Sequence, residues 1–576
     1  MKKSASVKNR DDVSIVLCGE AGQGIQTVEF LLTRILKLAG YNVFATKEYM
    51  SRIRGGANST EIRVSNKRVC ALVDRIDILI ALNKGALQHL EKRISPQTVV
   101  LAEKEIIGDD FDRRRCRFIN IPFTRIAAEA GNKVYSNSVA VGVIAGLFGV
   151  PVGDVTGYIK QHFSTKSQEI IENNAGAAEA GYKVGSDLVG AGKIKLGIAP
   201  DARVMDEILL SGAEAVGLGA IAGGCNFISA YPMSPSTPVL VFLAKYGRDF
   251  GIIAEQAEDE IAAMNMAIGA WYAGARAMAS TSGGGFALMV EGLSLSAMLE
   301  IPVVIHLAQR PAPATGLPTR TEQADLELAL YAGHGEFPRI IFAPGSIEEA
   351  FYLTQKAFNL ADKYQVPVFV LTDQYLIDSY YNIVSLNLVG IEVQKHIVET
   401  KENYRRYEIT ENGISPRGIP GLGSGLIVVD SDEHDEEGHI TEDLDLRTRM
   451  VNKRLRKLEL IGNEVIPPEL VGPADYKNLI ICWGSTYNVV KEALGELGKD
   501  DTAMLHHKQV HPLHSGTAEY LKRADRSIIV EGNATSQLGK QIKLHTGIDV
   551  GEKVLKYNGL SFSVEEVVDR LSSLLD

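Results

Sequence analysis

The chain has 576 residues, 45% of them hydrophobic and 23% charged, and a formal net charge of −11 at pH 7. That length exceeds what one hydrophobic core organises, so three or four domains are expected. The acidic balance excludes general nucleic-acid binding, which needs a basic surplus against phosphates. The opening residues, MKKSASVKNRDD, lack the apolar centre of a signal peptide. The longest near-apolar run, residues 138–152, is too short to span a bilayer and reads as a buried helix. A cytoplasmic protein without a membrane segment is therefore expected. No two of Cys18, Cys70, Cys116, Cys225 and Cys482 lie within ten residues of each other, which excludes a local zinc or iron–sulfur spacing. They read as small buried hydrophobes, and no metal is assigned to this chain.

Residues 13–17 form a short apolar strand, followed by GEAGQG at 19–24 and a helix pattern. Ile25, Val28, Leu31, Leu32, Ile35 and Leu38 fall at helical spacing, and Gly40 ends the run. The glycines fall as GxxGxG rather than GxGxxG, so a nicotinamide cofactor is weakly supported. Gly22 and Gly24 at a helix N-terminus suit an anion, with a plain packing turn as the alternative. Arg52 and Arg54, beside a Gly–Gly pair, suit a phosphate or carboxylate, or equally a surface. Residues 175–200, rich in Gly, Ala and Lys, read as a linker.

A longer α/β pattern begins at Glu214, with apolar strands at 226–230, 252–254, 277–280, 303–307, 339–342 and 366–371. The alternation predicts an α/β fold with an open, mostly parallel sheet covered on both faces. Residues 384–460 break the pattern: an acidic stretch, 430–443, precedes a basic run, 447–457. A metal site using His434 and His439 competes there with a solvated insert whose charges pair with the basic run. The second reading is preferred, because charge blocks are usually solvated. A last α/β unit has strands at 479–483 and 527–530 and a polar loop, EGNATSQLGK, at 531–540.

Four segments carry candidate chemistry. YPMSPST (231–237) follows a buried strand, at the carboxyl end of the sheet where open α/β folds bind ligands. Pro232 and Pro235 stiffen it, and Tyr231, Ser234, Ser236 and Thr237 offer hydroxyls. The plainer reading makes Ser236 the N-cap of the following helix. EQAEDEIAAMNMAIGA (255–270) crowds four carboxylates into the first turn of a helix, more than the helix dipole requires, and Glu260 is read as facing inward. TSGGGF (281–286) lets a ligand or another chain approach the backbone. Arg320, in a Pro/Thr-rich loop at 311–326, suits a bidentate grip on a carboxylate, the alternative being an ordinary surface arginine.

In this order the motifs resemble the 2-oxoacid:ferredoxin oxidoreductases. Residues 13–185, with GEAGQGI and the RGG segment, are similar to that family's gamma domain. Residues 201–576, with YPMSPST, EDEIAAMNMAIGA, TSGGGF and GLPTRTEQADL, are similar to its alpha chain. The resemblance implies a gamma domain at 1–185, a linker at 186–200 and a pyrimidine-type thiamine diphosphate domain at 201–383. A charged insert and connector at 384–465 and a transketolase-like α/β domain at 466–576 complete it. Glu260 matches the glutamate that holds the aminopyrimidine ring of thiamine diphosphate, and Pro232 lies beside that cofactor. Arg320 matches the arginine that holds the substrate carboxylate, and Tyr231 and Ser234 match the loop beside the reacting carbons. The usual loop has Ile–Thr where this chain has Met233–Ser234, which puts substrate selectivity in doubt and leaves the reaction class alone.

The same resemblance implies a partner beta chain carrying the diphosphate–Mg2+ half of the site and a [4Fe–4S] cluster. Ferredoxin is the implied electron acceptor, coenzyme A the co-substrate, and a heterotetramer of two such pairs the implied assembly. Gly22, Gly24, Arg52 and Arg54 become candidate coenzyme A contacts. The fused arrangement favours 2-oxoglutarate, whose second carboxylate wants a second cation, with Arg52, Arg54 and Arg310 available. A broad-range, pyruvate or aryl-pyruvate enzyme is the alternative within the same chemistry. A non-catalytic α/β adaptor and a nicotinamide dehydrogenase built on GEAGQG are the alternatives outside it.

Overall fold

A computed structural model describes residues 11–20, 25–51, 56–108 and 111–576. The chain divides into two compact units. One holds the residues up to 210 with 379–386 and 563–566; the other holds 211–378, 387–562 and 567–576.

In the first unit the strand Asp12–Glu20 is the centre of a mixed sheet. It pairs parallel with Ile78–Ala81 on one side and antiparallel with Ala57–Ser65 on the other. Val99–Ala102 and Arg117–Asn120 extend the parallel half, and Asn42–Glu48 and Tyr380–Ile383 the antiparallel half. The helix Ile25–Leu38 buries Val28, Leu31, Leu32 and Ile35 against the sheet, as the helical spacing predicted. The apolar run becomes the helix Ser136–Leu147, in which every residue from Ser138 onward is buried.

Residues 175–200 correct the linker reading. The helix Gln168–Gly190 runs through most of them, and only the residues after it form a turn and irregular chain. Its small residues serve packing. A Cβ on Gly142 would lie 1.9 Å from the Ala178 carbonyl oxygen, and one on Gly181 would lie 2.2 Å from that of Val139. The two helices therefore touch backbone to backbone, a reason for glycine that composition alone cannot separate from a flexible linker.

The second unit contains two sheets. The larger has the order Gln509–His511, Ile340–Phe342, Pro367–Asp373, Val303–Gln309, Ala277–Thr281, Phe227–Ala230, Ile253–Gln256. All neighbours are parallel except the first pair. Val303–Gln309 and Pro367–Asp373 are buried at every position, which is why they read as continuous apolar runs rather than as alternation. From Phe227–Ala230 the chain adds Ile253–Gln256 on one side and Ala277–Thr281 on the other. The carboxyl ends of these strands therefore mark a topological switch point, where open parallel sheets bind ligands. The smaller sheet has the order Glu469–Val471, Thr502–His507, Asn478–Trp483, Arg526–Glu531, Glu552–Leu555.

The charged insert departs from the solvated reading. Arg447 and Arg454 do pair with Glu433 of the acidic stretch. Lys453 and Lys457, however, are buried and pair with Glu300, at 2.6 Å each, on the larger sheet's connecting segment. His434 is buried against the Tyr407 ring, with centroids 3.8 Å apart. Among the described residues no group of three or more His, Cys, Asp or Glu side chains could hold a metal ion. No described helix is long and apolar enough to cross a membrane.

Candidate active site

Four chain segments meet at the switch point, one after each of four neighbouring strands. The first follows Phe227–Ala230. Tyr231 is 41% exposed, Pro232, Met233 and Ser234 are half-buried, and the Ser234–Pro235 peptide is cis. Ser236 corrects the capping expectation. It stands at the N-cap position, as read, but its backbone is already helical and its hydroxyl donates to the Met233 carbonyl at 2.7 Å instead of accepting from a helix N–H. The hydroxyl tightens the loop that precedes the helix instead of closing the helix end.

The second segment resolves the four crowded carboxylates. Glu255, Glu258 and Asp259 are exposed, whereas Glu260, the first residue of the helix Glu260–Tyr272, is 3% exposed. Asp259 performs the capping, accepting from the Ala262 N–H at 2.8 Å. Glu260 Oε1 is buried with no hydrogen-bond partner within the protein. Burial pushes the Glu260 carboxyl upward and Asp259 adds to the rise, while its own backbone N–H and Arg310 oppose it.

The third segment is the glycine run after Ala277–Thr281. A Cβ on Gly285 would lie 2.2 Å from Thr281 Oγ1 and 2.4 Å from Glu260 Oε1. A Cβ on Gly283 would lie 2.4 Å from Asp325 Oδ2. Glycine is thus required at both positions by carboxylates that lie against the bare backbone. Ser282 Oγ is also buried without a partner.

The fourth segment begins at Arg310, directly after Val303–Gln309. Arg310 is 9% exposed, its Nη1 donates to the Ser234 carbonyl at 2.7 Å, and its Nε is unpartnered. Asp325 closes the segment; burial pushes its carboxyl up to about 6 against the opposing pull of Arg310. Glu322 is pushed up to about 7, by burial first and by Asp325 second. Arg320 is half-buried on the same loop, and its side-chain stem lies against Gly559.

Contacts with the smaller sheet hold this loop. Gln323 donates from Nε2 to the Trp483 carbonyl at 2.8 Å, and its Oε1 accepts the Gly532 N–H at 2.7 Å. Gly532 is itself fixed because the neighbouring Glu531, fully buried, accepts from five groups. These are Trp483 Nε1, Asn533, Ser536 and the N–H groups of Leu538 and Gly539. The polar loop at 531–540 is thus a scaffold for the arginine-bearing loop.

The structure therefore brings Glu260, the glycine run, Arg310 and the Ser234 backbone together. It places Arg320 farther along the fourth segment, on Gly559. Sequence reasoning missed Gln323 and Asp325, which lay inside a quoted motif beside a more conspicuous arginine. Gly22, Gly24, Arg52 and Arg54 lie outside the described residues. Within the first unit, a cavity of about 380 Å³ opens after the strands Ile78–Ala81 and Val99–Ala102, with Glu103, Thr124, Lys133 and Ser136 in its wall.

A cofactor's protonated ring nitrogen fits this arrangement. It would give the orphaned Glu260 oxygen a partner. A thiamine-diphosphate-binding family model of pyruvate flavodoxin/ferredoxin oxidoreductases matches residues 218–453. A second model, pyruvate ferredoxin/flavodoxin oxidoreductase, matches residues 14–184. The chain is 33% identical to the alpha subunit of a 2-oxoacid:ferredoxin oxidoreductase of a Sulfolobus species, over 98% of this chain and 97% of that one. It is 27% identical to the 2-oxoglutarate oxidoreductase subunit KorA of Mycobacterium tuberculosis, over 97% and 90% respectively. Among solved structures it is similar to the 2-oxoglutarate:ferredoxin oxidoreductase of Magnetococcus marinus with 2-oxoglutarate, coenzyme A and succinyl-CoA bound. The TM-score is 0.90 at 31% identity, covering 98% of this chain and 100% of that one.

Proposed function

The chain belongs to the 2-oxoacid:ferredoxin oxidoreductase alpha-subunit family, thiamine-diphosphate-dependent enzymes, and on that premise we propose that it oxidises 2-oxoglutarate with Glu260 as the cofactor's carboxylate. The products would be succinyl-CoA and carbon dioxide, or the reverse carboxylation would run on the same residues. The observation that carries this reading is Glu260 itself, the one buried carboxylate of four, with an oxygen unsatisfied inside the protein. Bound there, thiamine diphosphate supplies a carbon nucleophile that adds to the 2-oxoacid carbonyl and lets carbon dioxide leave.

The chain's own residues prepare that chemistry. Glu260 holds a proton shared with the aminopyrimidine ring, and its burial keeps water from competing for that proton. Pro232 would help hold the cofactor, and Tyr231 and Ser234 would lie beside the reacting carbons, on a loop fixed by Arg310 and Ser236. Arg320 grips the substrate carboxylate in bidentate fashion, on a loop held by Gln323. Residues 1–185 act as the gamma domain and contact coenzyme A through Gly22, Gly24, Arg52 and Arg54. Residues 201–383 form the pyrimidine-type domain, and 466–576 the transketolase-like domain. A beta chain supplies the diphosphate–Mg2+ site and the [4Fe–4S] cluster, and the cytoplasmic assembly is a heterotetramer that passes electrons to ferredoxin. The KorA name and the 2-oxoglutarate-bound neighbour support the substrate choice.

Ferredoxin reduction by the complex that co-purifies with this chain tests the reading. Catalytic efficiency with 2-oxoglutarate is expected to exceed that with pyruvate by at least about tenfold, roughly 1.4 kcal/mol. Equal or greater efficiency with pyruvate would replace the substrate assignment by a broad-range one. Gly285→Ala is expected to push Glu260 out of place and weaken thiamine diphosphate binding on the order of 10²-fold. Gly284→Ala, whose nearest neighbour is the Ala314 oxygen at 3.7 Å, should bind as the wild type does. Binding measured by tryptophan fluorescence quenching separates the two.

A further inference from the structure

The loop that carries Arg320 changes character at that residue. Residues 312–317 are exposed, whereas Thr321, Gln323 and Asp325, at every second position beyond Arg320, are buried. Arg320 stands at the boundary, so its placement depends on how the buried side is held. Its N–H donates to the Leu317 carbonyl at 3.1 Å, closing a turn behind it. Its stem lies against Gly559, where a Cβ would come within 3.2 Å of Arg320 Cβ. The Thr321 N–H donates to the carbonyl of the same Gly559 at 3.2 Å, and Thr321 Oγ1 accepts the Tyr375 N–H at 3.2 Å. Tyr375 lies in the turn opened by Asp373, the last residue of the strand Pro367–Asp373. Asp373 is 2% exposed, and its Oδ1 accepts the Leu376 N–H at 2.9 Å at the start of the short helix Gln374–Asp378. That contact uses one oxygen. The other, Oδ2, accepts from the hydroxyl of Ser485, just after the smaller sheet's strand Asn478–Trp483.

We propose that Thr321 and Asp373 are positioning residues that fix where Arg320 presents its guanidinium, so that the turn at Ser485 on the smaller sheet bears on substrate affinity. This rests on Arg320 being the group that grips the substrate carboxylate. The physical basis is the chain itself. An arginine stem has several rotatable bonds, and a bidentate grip needs the planar fork held in one orientation. Fixing the residue on either side of Arg320 removes the backbone freedom that would otherwise add to that of the side chain. Thr321 supplies the fixed point on the buried side, bonded through its N–H to Gly559 and through its hydroxyl to the Asp373 turn. Asp373 in turn holds that turn to the smaller sheet. Burial pushes the Asp373 carboxyl up to about 6, while the Ser485 hydroxyl, the Leu376 N–H and the Thr321 hydroxyl favour its ionised form. An apolar residue at 321 would leave the Tyr375 N–H unpaired and the arginine hinged.

The test is steady-state ferredoxin reduction by the co-purified complex, with 2-oxoglutarate and with pyruvate as substrate. Thr321→Val keeps the size of the side chain and deletes the hydroxyl. It should raise KM for both acids on the order of tenfold and leave kcat within about twofold, the mark of binding lost equally from substrate and transition state. Thr321→Ser restores the hydroxyl and should bring KM most of the way back. Asp373→Asn, which loses one acceptor oxygen, should match Thr321→Val, and the double variant should be no worse than either, because both cut one link. If Asp373→Asn fails to assemble, Thr321→Val and Thr321→Ser still decide. In an Arg320→Gln background, itself raised in KM, Thr321→Val should add nothing further. Unchanged KM in Thr321→Val, a fall in kcat alone, or a KM effect that persists in full in Arg320→Gln would overturn the proposal and leave both residues as parts of the fold. Arg320→Gln by itself separates this from failure of the underlying reading. If that variant leaves KM unchanged, Arg320 does not hold the carboxylate, and the substrate grip falls together with the proposal.

Discussion

Replacing Glu260 by glutamine is expected to lower ferredoxin-reducing turnover on the order of 10²–10⁴-fold, the range for loss of a positioned acid–base group. Glutamine keeps the size and shape of the side chain and loses only the ability to ionise. Because Glu260 Oε1 has no partner within the protein, the fold does not depend on its charge. Burial already works against the ionised form, so the variant should unfold no earlier than the wild type. Assembly should likewise be preserved on gel filtration. The combination matters: a large loss of turnover with intact stability and assembly marks a chemical role. Turnover within about threefold of the wild type would instead favour a scaffold protein that merely resembles an enzyme subunit.

The second large effect is structural. Glu300→Ala should destabilise the second unit by about 3–5 kcal/mol, the cost of breaking a buried ion pair from one side. Glu300 is 1% exposed and faces Lys453 and Lys457, both also at 1%, while Arg406 donates to its carbonyl at 2.7 Å. Burial alone would raise the Glu300 carboxyl. Lys453, Lys457 and Arg406 together outweigh it and hold the group well below the usual carboxylate range. A depressed acid contributes stability above its unfolded value of about 4.3, lost only as pH falls toward the folded value. Near neutrality the full contribution is present, so calorimetry there should show the early transition in Glu300→Ala. Combining Glu300→Leu with Lys453→Met and Lys457→Met should recover much of the loss, because none of these three positions then carries an unpaired charge. A Glu300→Ala variant as stable as the wild type would mean that the two lysines neutralise at little cost. The depression of Lys457 to about 8 shows burial already pushing in that direction.

These expectations draw unequally on sequence. The strands at 226–230, 277–280 and 303–307 were legible because strands buried on both faces need unbroken apolar residues, and they appear within a residue or two of where they were read. The inward face of Glu260 was legible from an excess of carboxylates over what one helix end requires. The helix Gln168–Gly190 was not, because glycine and alanine signal flexibility unless a partner backbone is known to lie against them. Nor was the burial of Lys453, Lys457 and Arg454, since a run of charge reads as solvated until a distant glutamate such as Glu300 is brought beneath it. Gln323 and Asp325 stood in a quoted motif, but their partners, Gly532 and Gly283, are remote in the chain.

By itself, then, the sequence determined the local units: strand, loop and helix, the glycine turns, the stiff proline loops and the absence of a local iron–sulfur spacing. Those features depend on neighbours a few residues apart, which a linear pattern records. Only the tertiary structure decided that Glu260 Oε1 is left without a partner inside the protein and that Gln323 and Asp325 belong to the same site. The reason is the strand order. Ile253–Gln256 and Ala277–Thr281 leave Phe227–Ala230 on opposite sides, and the crevice so formed gathers residues from 231 to 325 around one point. Proton affinity is set by what lies within a few ångströms in that crevice, and that distance is written in the fold rather than in the spacing of the chain.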